Sequence, residues 1–191
     1  MSKALPAPDG RGISPGGYSK AEVLDEAGFD ALYRASLVDV HAYALSLLGD
    51  RQAAEDVTAL AFERLYRARA RLDHGRGTPR AWLFAIARNA ALDELRRRAR
   101  QPRFAMDENV GGEDLGQAIE RVEQRATLRE AISTLPPRDR EVVLLKFHGQ
   151  LSNGELARAL GISESNAGTR LHRALSRLRG LCLELDRREV A

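Results

Sequence analysis

The sequence has few of the residues on which several protein classes depend. Its one cysteine, Cys182, excludes a disulfide framework and a multi-cysteine zinc site. No run of about 18 apolar residues could span a membrane, and the N-terminus lacks the basic-then-apolar pattern of a secretory signal. Aromatic residues make up only 5%, whereas alanine, leucine and arginine are plentiful, which favours helix over sheet. We therefore predict an all-α protein of the cytoplasm, with no membrane insertion.

Lysine is also scarce, which leaves arginine as the main cation. Only three of the 30 basic residues are lysines. Six arginines fall within 88–103 against two acids, and four arginines with no acid fall within 165–183. Between them, 104–126 holds six acids against two arginines. Two basic segments thus flank an acidic one. The rigid guanidinium group of arginine is well suited to bind phosphate and guanine. A GC-rich genome is nevertheless the simpler explanation of the arginine bias.

Shifts in composition divide the chain into segments. Residues 1–22 are rich in Gly, Pro and Ser and predict a disordered extension. Helical periodicity is almost continuous over 23–100 and returns over 127–183. We predict two small helical domains over these ranges, joined by a flexible acidic linker (101–126) and followed by a C-terminal tail (184–191). Apolar spacing and turn residues predict helices over about 30–48, 51–70, 79–100, 116–134 and 138–148.

The clearest local motif is a helix-turn-helix within 151–179. Ser152 stands three residues before Glu155, a capping box that begins a short helix. Gly161 allows the turn, and Ser163 can cap a second helix. One face of that helix is apolar, and the other offers donors and acceptors to base edges, at Ser165, Asn166, Thr169, His172 and Arg173. The alternative is a hairpin with a solvated polar face, but cap, turn and acid-free second helix together favour DNA binding.

A second candidate surface lies on the helix predicted over 79–100. At about 100° per residue, a polar stripe forms from Trp82, Asn89, Asp93, Arg96 and Arg100. Its arginines, with Arg97 beside them, could follow a phosphate backbone, and the indole could stack on an unpaired base. The alternatives are that Trp82 belongs to the core, which is the simpler interpretation of that residue, and that Asp93 only pairs with Arg97.

No constellation typical of an enzyme is apparent. His41, His74, His148 and His172 are far apart and lack the spacing of metal ligands. No glycine-rich phosphate loop follows a strand, because no strand is evident. We therefore predict a protein that is not an enzyme, with no catalytic residue, no metal site and no cofactor.

In this order, the segments resemble one family. The stretch GDRQAAEDVTALAFERLYRA (49–68) is similar to a polymerase-binding helix, and RAWLFAIARNAALDELRRRAR (80–100) is similar to a promoter-melting and −10-reading helix. Residues 135–163 are similar to the start of sigma region 4, and TRLHRAL (169–175) is similar to a −35 recognition helix. The chain thus resembles bacterial sigma factors of the extracytoplasmic-function (ECF) type, which keep only sigma regions 2 and 4.

The resemblance implies a protein that binds core RNA polymerase and directs promoter-specific initiation. It places region 2 on the coiled coil of the β′ clamp, through Asp50, Arg51, Glu55, Asp56, Ala59, Leu60 and Glu63. It assigns −10 recognition and melting to Trp82, Asn89, Asp93, Arg96, Arg97 and Arg100. It places region 4 on the β-flap, with −35 reading by Ser165, Asn166, Thr169, Arg170, His172 and Arg173. The loop 72–78 would receive a flipped base, the linker would lead toward the RNA exit path, and an anti-sigma factor is a further implied partner.

Two departures from the family pattern bear on these assignments. Ala59 and Leu60 stand where the family usually has Gln and an acid, which leaves fewer polar contacts for the clamp. Asn166, Ala167 and Gly168 stand where Thr-Val-Lys is frequent, so Asn166 could instead read adenine through its amide.

The alternative function is a free-standing helix-turn-helix regulator with a dimerising or ligand-sensing N-terminal domain. Such a domain would need an apolar pocket or a self-complementary stripe. The sequence shows neither clearly.

Overall fold

The computed structural model describes residues 24–72, 77–100 and 119–189, and all regular structure in these ranges is helical. The prediction of an all-α fold is therefore confirmed. The seven α-helices of these ranges are α1 (Glu26–Leu48), α2 (Arg51–Ala68), α3 (Pro79–Arg100), α4 (Ile119–Thr134), α5 (Pro137–Phe147), α6 (Asn153–Leu160) and α7 (Glu164–Glu189). A short 3-10 turn, Arg69–Arg71, follows α2. The predicted N-terminal extension (1–22) and most of the predicted linker (101–118) lie outside the described residues.

Capping residues set the helix bounds. Helix α1 begins at Glu26 rather than near Asp30, because the Asp25 carboxylate accepts a bond of 2.7 Å from the backbone N–H of Gly28. The predicted capping box of α6 is present, with Ser152 and Glu155 each bonded to the other's backbone N–H. Gly161 has a φ of +67°, the left-handed conformation that the turn of the helix-turn-helix requires.

The ends of the C-terminal half differ from the sequence expectation. Helix α4 (Ile119–Thr134) agrees with the helix predicted over 116–134, although its first residues fall within the range predicted as linker (101–126). Helix α7 continues through Glu189, within the range predicted as tail. The helix continues because Leu181, Cys182 and Leu185 pack against the core, so the last turns of α7 have an apolar face to cover.

The two halves of the chain share one hydrophobic core. Helix α1 packs against α5, and α3 packs against α6, in addition to the contacts within each half. Phe84 of α3 is fully buried and lies against the backbone of Gly149, where an added Cβ would stand 3.3 Å from its ring. The same cluster includes Tyr43 of α1 and Leu145 of α5. A second, smaller cluster lies within the first half and joins α1, α2 and α3.

Polar contacts also cross between the halves. The Arg80 guanidinium donates to the carbonyls of His148 (2.7 Å) and Gly149 (2.8 Å). Its other bonds go to Asp39 (2.6 Å) and Ser36 (2.9 Å) of α1. These contacts fix the start of α3 against both α1 and the end of α5.

Candidate nucleic-acid interface

The second helix of the helix-turn-helix, α7, presents the predicted reading face to solvent. Ala167, Leu171, Ala174 and Leu178 are buried on one side. Five of the six predicted −35 residues are exposed and Arg170 is half-buried, the exposed ones being Ser165, Asn166, Thr169, His172 and Arg173. The helix therefore has the packed face and the polar face that insertion into a major groove requires.

The first turn of α7 is fixed by local hydrogen bonds. The Ser163 hydroxyl accepts from the backbone N–H of Asn166 at 3.3 Å, which confirms Ser163 as the cap. The Thr169 hydroxyl donates to the Ser165 carbonyl at 3.0 Å. Within the described ranges neither Arg170 nor Arg173 forms an ion pair, so both guanidinium groups keep their charge available for phosphate or base.

Helix α3 carries the second surface, and its charges are arranged differently. Asn89, Asp93, Arg96, Arg97 and Arg100 are exposed along the helix. The Arg96 guanidinium contacts Asp93 at 2.9 Å, and Arg97 contacts Glu94 at 2.7 Å. The proposed alternative of an Asp93–Arg97 pair is therefore wrong, because each acid pairs with the arginine three residues later. Acids of the same helix thus offset two of the three exposed arginines.

Glu94 organises the C-terminal end of α3. The Arg97 and Arg98 guanidinium groups both bond its carboxylate at 2.7 Å. The hydrogen bond from Arg97 is the main reason that the pKa of Glu94 falls from 4.5 to about 2, with Arg98 adding to the effect. Arg98 turns inward and contacts Asp50 at 3.3 Å, so it ties α3 to the start of α2.

Sequence reasoning did not single out Glu94 or Arg98. A signal for Arg98 exists, because it stands seven residues after buried Ala91 and so falls on the packed side of the helix. An arginine at such a position has to find an acid or a carbonyl, and Arg98 finds both Asp50 and the Leu48 carbonyl.

Trp82 is half-buried and packs against the shared core, which supports the core interpretation of this residue. Its indole Nε1 is buried and has no hydrogen-bond partner among the described residues. One side of the ring borders a groove of about 370 Å³ between α3 and α6, lined by Ala81, Ala85, Glu155, Arg158 and Ala159. Trp82 is therefore placed between the two halves and not on an open face.

The residues predicted to bind polymerase lie along α2. Arg51, Glu55, Asp56, Ala59 and Glu63 are exposed. Arg51 pairs with Glu55 at 3.1 Å and Glu63 pairs with Arg67 at 2.7 Å. Leu60 is half-buried against the smaller cluster, and Asp50 serves as the N-cap of α2 by accepting from Ala53 at 2.8 Å. Asp50 therefore has a structural role in addition to its place at the edge of this surface.

A groove of about 480 Å³ separates this part of α2 from α3. Asp56 and Leu60 line one side, and Asp93 and Arg97 line the other. The predicted polymerase-binding and −10-binding residues thus border one continuous surface.

Two sequence profiles match the chain in this order. Residues 32–101 match the family Sigma-70 region 2, and residues 125–178 match Sigma-70, region 4. The ECF RNA polymerase sigma factor SigM of Bacillus subtilis is 31% identical over 156 residues, which cover 80% of this chain and 93% of SigM. The protein belongs to the ECF sigma factor family.

Further relatives agree with this assignment. The ECF sigma factor SigL of Mycobacterium tuberculosis is 31% identical over 173 residues, covering 86% of this chain and 97% of SigL. The fold is that of the sigma factor RpoE of Bartonella quintana, solved with the anti-sigma factor NepR (TM-score 0.66, 23% identity, 83% of this chain and 98% of RpoE). It also matches CnrH, solved with the cytosolic domain of CnrY (TM-score 0.60, 25% identity, 85% of this chain and 91% of CnrH).

As an ECF sigma factor, the protein is a promoter-recognising subunit of RNA polymerase, and its partners are the core enzyme and promoter DNA. The alternative of a free-standing regulator gives way to this function, since both sigma regions are present in order. Sigma factors are not themselves enzymes. Across residues 24–72, 77–100 and 119–189, no group of three or more metal-ligating side chains comes together, and no helix is long and apolar enough to cross a membrane.

The packing around Gly168 does not explain one departure of this sigma factor from its family pattern. At Gly168, where the family often has Lys, the one described side chain near an added Cβ is that of Asn153, at 3.6 Å. That is an ordinary contact distance, so the packing does not require glycine. The absence of a lysine at position 168 therefore changes the surface charge and is not required by the fold.

The residues that join the two halves were missed by sequence reasoning. Arg88 of α3 pairs with Glu141 of α5 at 2.7 Å, and Thr78 donates to Glu155 of α6 at 2.6 Å. Partners separated by 53 and 77 positions leave no periodic signal in one sequence. Charged residues that fall on a mostly apolar helix side are the only hint, as with Glu141 within the buried run of α5.

Proposed function

We propose that the two basic helices divide promoter recognition between them. In this proposal α7 reads the −35 element as duplex, and α3 binds the separated strand of the −10 element. The supporting observation is the pair of exposed arginine-bearing faces on separate halves of the chain, with the acid-free face on α7. A duplex presents phosphates on both sides of a groove, which favours the helix that carries uncompensated charge.

On α7, we assign backbone and base contacts to Arg170 and Arg173, because a guanidinium can bond a phosphate or the O6 and N7 of guanine. Thr169 and His172 stand beside them as further base readers, and Ser165 lies at the exposed start of the helix. Asn166 takes the place of the missing cation at 168 by reading adenine through its amide.

On α3, Asn89, Asp93, Arg96, Arg97 and Arg100 form the strand-binding face. Arg96 and Arg97 hold acid partners in the free protein, so a bound strand has to share or displace those acids. The loop before α3 receives a flipped base in this proposal, with Trp82 supporting the pocket wall. A few kcal/mol of unstacking would be offset by the polar contacts of the loop and the cations along the strand.

The exposed face of α2 is the proposed contact with the β′ clamp, and region 4 docks on the β-flap. Ala59 and Leu60 lie between the exposed acids Glu55, Asp56 and Glu63 along α2, and Asp50 and Arg51 stand at the start of the helix. A polar rim around an apolar centre is typical of protein interfaces. Since Ala59 and Leu60 replace polar family residues, the clamp contact of this chain relies more on apolar burial.

We also propose that an anti-sigma factor holds this sigma factor inactive in the cytoplasm. Of its structural neighbours, RpoE was solved with the anti-sigma factor NepR, and CnrH was solved with the cytosolic domain of CnrY. A test is affinity purification of the tagged full chain from its host under non-inducing conditions. Recovery of a stoichiometric partner that blocks polymerase binding supports the proposal, and recovery of core polymerase alone contradicts it.

The decisive experiment is transcription by core polymerase and the purified full chain on a promoter library, followed by mapping of transcript starts. We expect transcripts from a defined set of sites with −10 and −35 elements in common. Tight duplex binding by the protein alone, with no dependence of transcription on added core enzyme, would contradict the proposal. Core polymerase without the chain is the matched control.

A further inference from the structure

Arg88 of α3 is held in the contact between the two halves. Its Nε donates to Glu141 Oε1 of α5 at 2.7 Å, and the two side chains are only 17% and 10% exposed. Its Nη1 donates to the side-chain oxygen of Asn89 at 3.3 Å. Arg88 therefore lies next to the proposed strand-binding face while its charge is satisfied by an acid from the other half.

The two halves cannot remain packed when both promoter elements are bound. The −10 and −35 elements lie about 25 base pairs apart, which at about 3.4 Å per base pair is about 85 Å. A folded chain of this length has a radius of gyration of about 16 Å, hence a diameter of about 40 Å. Since α3 and α7 share one core here, they have to separate to reach both elements.

Separation affects Arg80 and Arg88 differently. Arg80 would lose two carbonyls of the C-terminal half but keep Asp39 and Ser36 of α1. Arg88 would lose Glu141, the one carboxylate with which it pairs in the described part of the chain. A guanidinium beside the −10 face would then be without an anion, and a nearby phosphate has the charge and geometry to replace the carboxylate.

We propose that Arg88 is a further promoter-contacting residue. It pairs with Glu141 while the halves are packed, and it binds a phosphate of the −10 strand beside Asn89 once they separate. The inference rests on the proposed function, in which α3 binds that strand. Glu141 thus takes the place of a phosphate in the free protein, and opening of the chain adds a cation to the −10 surface.

The test compares holoenzymes reconstituted with the full chain carrying Arg88→Gln, Glu141→Gln or the charge swap R88E/E141R. Arg34→Gln is the matched control, because Arg34 is an exposed arginine of α1 outside every surface named above. The probe is a premelted fork DNA made from a promoter mapped in the transcription assay. Its non-template strand is single-stranded at the −10 element. The readout is the slope of log binding constant against log salt concentration.

We expect Arg88→Gln to reduce the magnitude of this slope by about 0.7, the value for one phosphate contact on a single strand. Glu141→Gln should keep the wild-type slope in the holoenzyme and, as free protein, bind the single strand more tightly than wild type. The charge swap should restore a thermal stability near wild type, yet bind the fork more weakly than Arg88→Gln, since it places an acid against the phosphate.

Because Arg88→Gln and Glu141→Gln lose the same ion pair, a difference between them cannot come from that loss. Equal slopes for these two variants, or a charge swap that binds the fork as wild type does, would show that Arg88 only joins the halves and would overturn the inference. Failure of the proposed function is a different result: the wild-type holoenzyme would produce no promoter-specific transcripts, and both proposals would then be rejected.

Discussion

The two basic helices of this sigma factor carry their charge in different ways. On α3, Arg96 and Arg97 each face an acid three residues earlier, and Arg98 turns inward to Asp50. On α7, no acid falls within 165–183, and Arg170 and Arg173 have no ion-pair partner among the described residues. The α3 surface is thus largely compensated in the free protein, and the α7 surface is open.

This difference suits the state of the DNA that each helix is proposed to meet. An open positive face attracts duplex at long range and increases the rate of encounter. A largely compensated face attracts a distant strand more weakly, because the acids beside two of its three exposed arginines repel the phosphates that those arginines attract. The −35 surface would therefore make first contact, and the −10 surface would engage after melting.

The largest expected effect is on the open face. Arg173→Ala should weaken binding of a −35 duplex by the holoenzyme by about 1–3 kcal/mol if Arg173 bonds a base edge. Core affinity should stay the same, since α7 is distant in sequence and role from α2. Equilibrium binding of holoenzyme to promoters with intact and altered −35 elements measures this.

Arg179→Ala is the matched control, since Arg179 is exposed further along the same helix. Equal losses in both variants would mean that only net charge matters on α7. An equal loss of core binding and −35 binding in Arg173→Ala would contradict the assignment of this residue to DNA.

A second prediction separates polymerase binding from DNA recognition. Asp56→Lys reverses an exposed charge on the proposed clamp surface and should weaken core binding by about 1 kcal/mol, mainly through the association rate. Competition for core enzyme against wild type measures it, with the exposed acid Glu26 on α1 as the site of the control, Glu26→Lys. Unchanged core affinity in Asp56→Lys would remove this residue from the interface.

The sequence predicts those parts of the fold that depend on neighbouring residues. The bounds of α3, the Ser152–Glu155 capping box and the turn at Gly161 all follow from side chains within four positions of one another. The exposed side of α7 follows from the 3.6-residue period for the same reason. Such features are set by local geometry, and one sequence contains all of it.

The contacts between the two halves could not be predicted from the sequence, because they depend on how the helices pack. Arg88 and Asn89 are adjacent, yet one faces Glu141 and the other faces solvent. Helical position predicts their directions but not what occupies the space beside Arg88. The pairing of Arg96 and Arg97 was also open, since i+3 and i+4 acids compete within one turn.

A third prediction asks whether the two halves are independent in the free protein. Ser152→Ala removes the cap of α6 and Asp25→Ala removes the cap of α1. Each should cost about 1 kcal/mol and lower the melting temperature by about 2–4 °C. Because one core spans both halves, each variant should shift a single cooperative transition of the whole chain.

Calorimetry of the full chain measures this transition. Two resolved transitions, with Ser152→Ala shifting only one and Asp25→Ala shifting only the other, would contradict the shared core. In that case the comparison of α3 and α7 would be between two independent domains.

The smallest effect concerns the acids that compensate α3. The pKa of Glu94 is lowered to about 2, chiefly by the hydrogen bond from Arg97. A carboxyl with a depressed pKa stabilises the fold above its unfolded pKa of about 4.5, and this stability is lost as the pH falls toward 2. Because Arg97 is exposed to solvent, the ion pair of Glu94 contributes only about 1 kcal/mol or less to the free energy of unfolding. Glu94→Gln should therefore be less stable than wild type at pH 7, and the difference in melting temperature should shrink as the pH falls from about 4.5 toward 2, between the unfolded and folded pKa values of this carboxyl. A constant difference over this range would show that the ion pairs of Glu94 contribute nothing and that α3 is not stabilised by its own acids.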